Sequence, residues 1–592
     1  MYRIKFLFIV ISLFVLNFRA VAQSENPEIL IEELEYHVKF LSSDELEGRA
    51  PGTGNDIKAA EYLIKELQKT NAKLLYDNGM QYFEVFNSLS PGKSNKLKIN
   101  GEIESFETGF TVLPYSANGI VNSQVVFAGY GFQIDEPELK WDDYKGIDVK
   151  DKIVMIFRGA PTSDKIYENY SSLRKKITTA RDNGALAVIF VNPEGFDKDD
   201  KLISSSSATR ESAAAIPAVN IKRDIANKIL KPVNLSITDL EKQYASDKKP
   251  ASISSGSAVE LQTDMIQNKV QTMNVVAMIE GSDPVLKDEY IVIGAHFDHL
   301  GWGGSGSGSR RPELNEIHNG ADDNASGTSA ALEIFERYAL AKKPLRSIIF
   351  VAFGAEEMGL IGSRYFVENP PVDLSKIVMM VNLDMVGRLN PDTKALTIGG
   401  TGTAVEFNEI LTKLKETYPL NINFSPEGLG PSDHASFYAK NIPVLFFFTG
   451  VHEDYHTPAD DHEKINYEAQ KLISDLTYDV ISNLAFTGNK LNFQEAGPKE
   501  RQSPSSRMKV SLGIMPGYVS EGAKGVLVEN VVPDKPAAKS GIQKGDIIVS
   551  INGKPVNDIY EYMDRMSTLN PGDVAMVGVE RNKEIIEIAV NL

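Results

Sequence analysis

Histidine is scarce in this chain, and seven of its eight positions fall between His296 and His462. Carboxylates crowd the same span. An apolar run, Tyr290 to Ala295, stops abruptly on His296-Phe297-Asp298-His299. Asp322 and Asp323 stand before an Ala/Ser/Gly-rich helix start, and Glu356-Glu357 lie just past the apolar run Ser347 to Phe353. Asp384 ends the run Ile377 to Leu383, and His456 follows the run Val444 to Thr449. Imidazoles and carboxylates gathered at strand ends are the donors of a divalent-metal hydrolase, and zinc takes this nitrogen and oxygen set readily. Three acidic groups and two imidazoles suit two ions about 3.5–4 Å apart that share a carboxylate and a water. The chain has no cysteine, so a zinc site here must use nitrogen and oxygen.

Such residues meet only if the elements carrying them end at one edge of a sheet. From Asn274 onward the pattern supplies this. Apolar runs at Asn274–Ile279, Tyr290–Ala295, Ser347–Phe353, Ile377–Leu383 and Val444–Thr449 alternate with amphipathic segments at Ala325–Leu340, Ala404–Glu416 and Tyr467–Phe486. This predicts an α/β fold, a mostly parallel sheet flanked by helices, with ligands at the carboxyl ends of its strands. Adjacent residues on an extended segment point opposite ways, so one member of Glu356-Glu357 can face a metal while the other faces water.

His296-x-Asp298, Gly320-Ala321-Asp322-Asp323-Asn324-Ala325-Ser326-Gly327, Glu356-Glu357, Asn382-Leu383-Asp384-Met385 and Tyr455-His456-Thr457-Pro458 occur in one order, after an early Glu47-Gly48-Arg49-x-Pro51-Gly52-Thr53. The ordered set resembles the two-zinc aminopeptidases of the family that also contains glutamate carboxypeptidase, and so implies the zinc exopeptidase fold. The resemblance further implies that His296 and Asp384 hold one zinc, Glu357 and His456 the other, and that Asp322 bridges them. Glu356 would be the general base, moving a proton from water between the metals to the leaving amine. Asp298 would orient His296 through its free ring nitrogen, and Tyr455 would hydrogen-bond the developing oxyanion. A cis peptide is implied at Asp322–Asp323. Ser432-Asp433-His434 is similar to a family segment lining the site, and Gly301–Ser309 reads as a flexible loop over the cleft. Arg49 reads as a solvated loop arginine.

Two other regions have their own texture. Gly129-Tyr130-Gly131, Asp143-Tyr144, a strand ending in Arg158-Gly159 and an Ile216-Pro217 strand resemble, in that order, a protease-associated (PA) domain. Near the C-terminus, Pro536-Ala537-Ala538, Gly541-Ile542, Gly545-Asp546-Ile547-Ile548 and Ile551-Asn552-Gly553 resemble a PDZ domain of the bacterial protease type. That resemblance implies that Leu512, Gly513 and Ile514 receive the carboxylate of an extended peptide. The expected organisation is a signal peptide at 1–22, peptidase segments at 23–119 and 258–488, a PA insert at 120–257, a linker at 489–507 and a PDZ domain at 508–592.

The formal charge of −18 argues against nucleic-acid or anionic-membrane partners. Arg3 and Lys5, the apolar stretch Phe6–Phe18 and Ala20-Val21-Ala22 read as a cleaved export signal. No later run reaches transmembrane length. The absence of cysteine fits a bacterial periplasmic or secreted protein better than a eukaryotic one. The function expected is that of a zinc aminopeptidase acting on peptides. The alternatives are a carboxypeptidase or dipeptidase, for which Arg310, Arg311, Arg364 or Arg388 would hold the substrate carboxylate, a one-zinc glutaminyl cyclase, and a non-catalytic peptide-binding protein.

Overall fold

The computed structural model describes residues 28–592 apart from 71, 137, 168–169, 208–213, 215, 248, 305, 500–509, 518–524, 533–534, 557–561, 563–564 and 567–568. The expected signal peptide and part of the linker therefore lie outside the described residues. The main sheet is built from β1 (Met80–Pro91), β2 (Met265–Ile279), β3 (Tyr290–His296), β4 (Ser347–Phe353), β5 (Ile377–Leu383), β6 (Ala395–Gly399), β7 (Asn421–Phe424) and β8 (Val444–Phe448), with the short Lys73–Leu74 strand. Its spatial order is β2-β4-β3-β5-β8-β6-β7, and β1 and Lys73–Leu74 pair along β2. The centre, β4-β3-β5-β8, is parallel; the joins of β2 to β4 and of β8 to β6 are antiparallel. Every residue of β4 is buried, as a strand covered on both faces requires.

The chain leaves β3 for β4 on one side and returns through a helix to β5 on the other. β3 is thus the point where the direction of winding reverses, and at such a point the loops after neighbouring strands part to leave a crevice. Pairing places His296 beside Phe353 and Gly294 beside Asn382, so the chain just past β4 and β5 arrives next to the end of β3. Helices α1 (Ile31–Leu41), α2 (Asn55–Leu67), α3 (Gly327–Leu340) and α4 (Tyr467–Ala485) bury their apolar faces in one core with this sheet.

β1 and β2 form a long antiparallel ribbon that leads into a second sheet. That sheet includes Lys96–Ile99, Gly119–Phe127, Ile153–Phe157, Ala187–Val191, Ala218–Ile221 and Ile253–Thr263, so it draws on chain to either side of 120–257. A third sheet, among the described residues, runs in the order Ile514–Gly517, Val526–Val531, Ile547–Ile551, Val574–Arg581, Glu584–Asn591. Ile514–Gly517 lies at its margin, the place where an added peptide strand would pair. Gly513 precedes it with φ +73°, and a Cβ there would come within 2.2 Å of the Lys535 side chain. Leu512 is buried, and its carbonyl accepts from the Ala537 amide at 2.8 Å.

One buried polar network ties α1, α2 and α3 together. His37 Nδ1 accepts from the Tyr62 hydroxyl at 2.6 Å, and His37 Nε2–H donates to Glu333 Oε1 at 2.9 Å. Burial, opposed in part by Glu66, lowers His37 to about 4. Burial and the Glu333 charge raise Glu33 to about 7, and burial with the Glu66 charge raises Glu333 to about 8. Both carboxyls hold a proton in the folded chain at pH values where the unfolded chain has lost it, so their effect on stability is a fall from pH 4.5 up to about 8. His37 works the other way, but only between about 4 and 6.5. Above pH 6.5 the carboxyl effect stands alone. Glu333→Gln, which keeps an acceptor for His37, should therefore be the more stable protein at pH 8, by on the order of 2 kcal/mol. Thermal unfolding from pH 6 to 9 should show a flatter profile for the variant; parallel profiles would refute the assignment.

Candidate metal centre

The strand ends bring together His296, Asp323, Glu356, Glu357, Asp384 and His456. Asp323 lies at the middle. Its Oδ1 is 3.3 Å from His296 Nε2, which is itself 3.4 Å from Asp384 Oδ1. Its Oδ2 is 3.1 Å from His456 Nε2, which is also 3.1 Å from Glu357 Oε2. Two nitrogen and oxygen clusters thus share one carboxylate.

Asp322 does not occupy this position, and the reading that made it the bridge is corrected by one residue. Its Oδ1 accepts from the Gly387 amide at 2.7 Å and the Ser326 hydroxyl at 2.9 Å, and its Oδ2 lies 3.2 Å from His452 Nε2. The cis peptide likewise falls at Asp323–Asn324. The backbone sets this choice. Asp460 accepts from the amides of both Asp322 and Asp323, at 3.1 and 3.0 Å. Gly320 enters the segment with φ +58°, where a Cβ would lie 2.2 Å from the Asp323 carbonyl.

Arg49 is a second correction. It is fully buried, because its guanidinium is solvated by backbone: Nε donates to Phe297 O at 2.7 Å, Nη1 to Asn319 O at 2.6 Å and to Leu41 O, and Nη2 to Gly320 O at 3.0 Å. Burial lowers it to about 10, with Asp298 and Asp323 opposing, so it remains a cation. It locks the end of β3 to the turn that presents Asp323.

Asp298 also differs from expectation. Its carboxylate accepts from the Glu356 amide at 3.0 Å and the Glu357 amide at 3.4 Å, which fixes the glutamate pair. His296 Nδ1 is closer to the backbone carbonyl of Asp298, at 3.2 Å, than to its carboxylate, at 3.9 Å. Burial raises the Asp298 carboxyl to about 7. Asp433 is fully buried, and burial raises it to about 7 as well. The neighbouring Ser432 hydroxyl accepts from Asn382 at 2.7 Å.

Glu356 approaches His296 Nε2 at 3.9 Å and is not part of either cluster. Burial, with the Glu357, Asp433 and Asp384 charges outweighing His296, pushes its carboxyl well up. Glu357 goes the other way: burial and Asp323 push it up, but the neighbouring His456 and the hydrogen bond with His299 prevail and hold it at about 2. The Tyr455 ring stacks on His456 at 3.9 Å between centroids. Burial and the charges of Asp323, Glu357, Glu356 and Asp384 keep its hydroxyl protonated, hence a donor.

The loop Gly301–Ser309 holds the site rather than merely covering it. The Gly308 carbonyl accepts from His456 Nδ1 at 3.0 Å, and the Arg310 amide donates to the His456 carbonyl at 2.9 Å. Ser309 and His318 hydrogen-bond at 2.8 Å. Arg388 pairs with Asp454 at 3.1 Å, Arg364 donates to Gly359 O, and Arg311 lies 3.8 Å from Glu313.

The donor set fits zinc. His456 Nε2 is buried and forms no hydrogen bond, although two carboxylate oxygens lie 3.1 Å away. A nitrogen aimed between two carboxylates, with neither along its N–H direction, has the geometry of a lone pair directed at a cation. The groups His296, Asp323, Asp384 and His299, Asp323, Glu357 each bring three ligand atoms within 4.8 Å of one another, but in the second group His299 Nδ1 is turned to Glu357 Oε1 at 2.8 Å, and His456 Nε2 is the imidazole nitrogen between Asp323 Oδ2 and Glu357 Oε2. Asp460 is a site residue that sequence reasoning did not single out, and nothing local marks it; His299 stood in the histidine cluster and was expected at most in a supporting role.

Residues 274–481 match the model of peptidase family M28, residues 108–229 that of the PA domain, and residues 504–592 that of a PDZ domain. An aminopeptidase of Pseudomonas aeruginosa is 28% identical over 283 residues, covering 43% of this chain and 49% of that protein. The match thus spans about half that relative's length. Aminopeptidase YwaD of Bacillus subtilis is 26% identical over 450 residues, 73% of this chain and 80% of that protein. The solved structure of an aminopeptidase from Aneurinibacillus sp. strain AM-1 superposes with a TM-score of 0.44 at 23% identity, covering 79% of this chain and 97% of that one. Among the described residues no helix is long and apolar enough to cross a membrane.

Proposed function

We propose that this chain, whose residues 274–481 match peptidase family M28 and whose residues 108–229 and 504–592 match a PA and a PDZ domain, is an exported aminopeptidase that uses two zinc ions to remove N-terminal residues from peptides. The observation that carries the reading is Asp323, whose two oxygens each face a separate imidazole and carboxylate. His296 and Asp384 complete one position, and Glu357 and His456 the other. Zinc bound there supplies Lewis acidity toward a carbonyl oxygen and makes water acidic enough to ionise near neutral pH. Glu356 takes the proton from the attacking water and delivers it to the leaving amine. Tyr455 donates its hydroxyl proton in a hydrogen bond to the oxygen on which negative charge develops. Acidic groups around the clusters receive the free α-ammonium of the substrate. Residues 1–22, basic, then apolar, then small, support export. The margin of the third sheet beside Leu512, Gly513 and Ile514 takes the end of a second peptide.

A panel of N-terminally varied chromogenic amides, each with its N-blocked counterpart, tests the reading. Free-amine substrates should be cleaved and blocked ones spared. A chelator should stop the reaction and added zinc restore it. Cleavage of blocked peptides from the carboxyl end, or activity indifferent to chelator, would overturn it.

A further inference from the structure

We infer that His299 is a positioning residue that fixes Glu357 as a one-oxygen ligand and so sets the affinity of one metal position independently of the other. The inference rests on the two-metal reading above. The two oxygens of Glu357 are divided. Oε1 lies 2.8 Å from His299 Nδ1, and Oε2 lies 3.1 Å from His456 Nε2. A carboxylate that binds a cation through one oxygen can only accept at the other, and His299 Nδ1 is the group within hydrogen-bond distance of Oε1. His299 Nε2 is buried and has no hydrogen-bond partner.

The ring is held where it is. Its side chain is fully buried, and a Cβ on Gly320 would lie 2.5 Å from two of its carbons. Gly320 is in turn tied by its carbonyl to Arg49. His299 Nδ1 is 3.9 Å from Asp323 Oδ2, outside hydrogen-bond range, so its one close polar partner is Glu357 Oε1. With that oxygen engaged, Glu357 presents only Oε2 to the space it shares with His456 and Asp323 Oδ2. At the other position Asp384 has a single histidine, His296, within 4.0 Å, and nothing equivalent to His299 fixes its second oxygen among the described residues. The two positions therefore differ in how firmly their carboxylate is aimed, and an outer partner of this kind is worth about 10–100-fold in metal affinity.

The test is a zinc titration of the full chain, apo at the start, against a chromophoric chelator. Wild type should show two binding steps. His299→Ala should weaken one step by about 10–100-fold and leave the other where it was. His299→Asn, whose amide can stand in for Nδ1–H, should recover most of the loss. Thermal unfolding of each apo variant separates this effect from misfolding, because a folding defect would weaken both steps together. Two unchanged steps in His299→Ala, an equal loss at both, or no recovery in His299→Asn would each overturn the role of His299. A wild type that binds fewer than two zinc ions would instead overturn the two-metal reading, and the inference with it.

Discussion

Asp323→Asn should purify as a folded protein that binds zinc weakly at both positions, whereas Asp322→Asn should still bind two equivalents. The two residues are neighbours, both buried, and chemically identical, so only their surroundings separate them. Asp323 alone faces His296 on one side and His456 on the other. Its replacement by an amide removes the shared negative charge and one anionic ligand atom from each cluster. The expected loss exceeds the ~10–100-fold typical of an outer partner and falls on both positions. Asp322 instead accepts from Gly387 and Ser326 through Oδ1, a role an asparagine oxygen can fill. Its replacement should change stability more than metal content. Equilibrium dialysis followed by elemental analysis reads both variants directly. Zinc loss in Asp322→Asn with retention in Asp323→Asn would return the bridge to Asp322 and contradict the arrangement described.

The strands that build the crevice were readable because they are apolar on both faces. Tyr290–His296, Ser347–Phe353 and Ile377–Leu383 need no alternation to be recognised, only length and an abrupt polar end. His296, Glu356, Glu357 and Asp384 followed, since each stands at or just past such an end, and His456 lies in the loop after Val444–Phe448. The Asp322-Asp323 pair was different. Which of two adjacent carboxylates turns inward depends on Asp460, distant in sequence, which accepts from both amides. Arg49 was misread for the same reason: its partners are carbonyls from three separated segments, a solvation shell that exists only after folding. Strand Met80–Pro91 alternates in burial from Gln81 to Val85, but exposed Tyr82 hides that period in the sequence, and its partner Met265–Ile279 lies beyond the whole second sheet. That same ribbon carries the chain between the two sheets.

Glu356→Gln should keep both zinc ions and lose turnover, with kcat lower by about 10²–10⁴-fold and KM little changed. Glu356 is separated from the clusters by distance: it lies 3.9 Å from His296 Nε2, against 3.3–3.4 Å for the carboxylates of Asp323 and Asp384. Its backbone is held by Asp298, which accepts from its amide, so the side chain of the variant should start from the same place. Glutamine preserves the volume and one acceptor but cannot take or return a proton. The contrast with Glu357→Gln is informative, because Glu357 faces His456 at 3.1 Å and its neutral analogue should lose metal. One adjacent pair should therefore split cleanly into a variant that binds metal without turnover and a variant that fails at metal binding first. Metal content and single-turnover rates on the same preparations make the comparison. Full activity in Glu356→Gln would remove it as the base, and loss of zinc from that variant would make it a ligand instead.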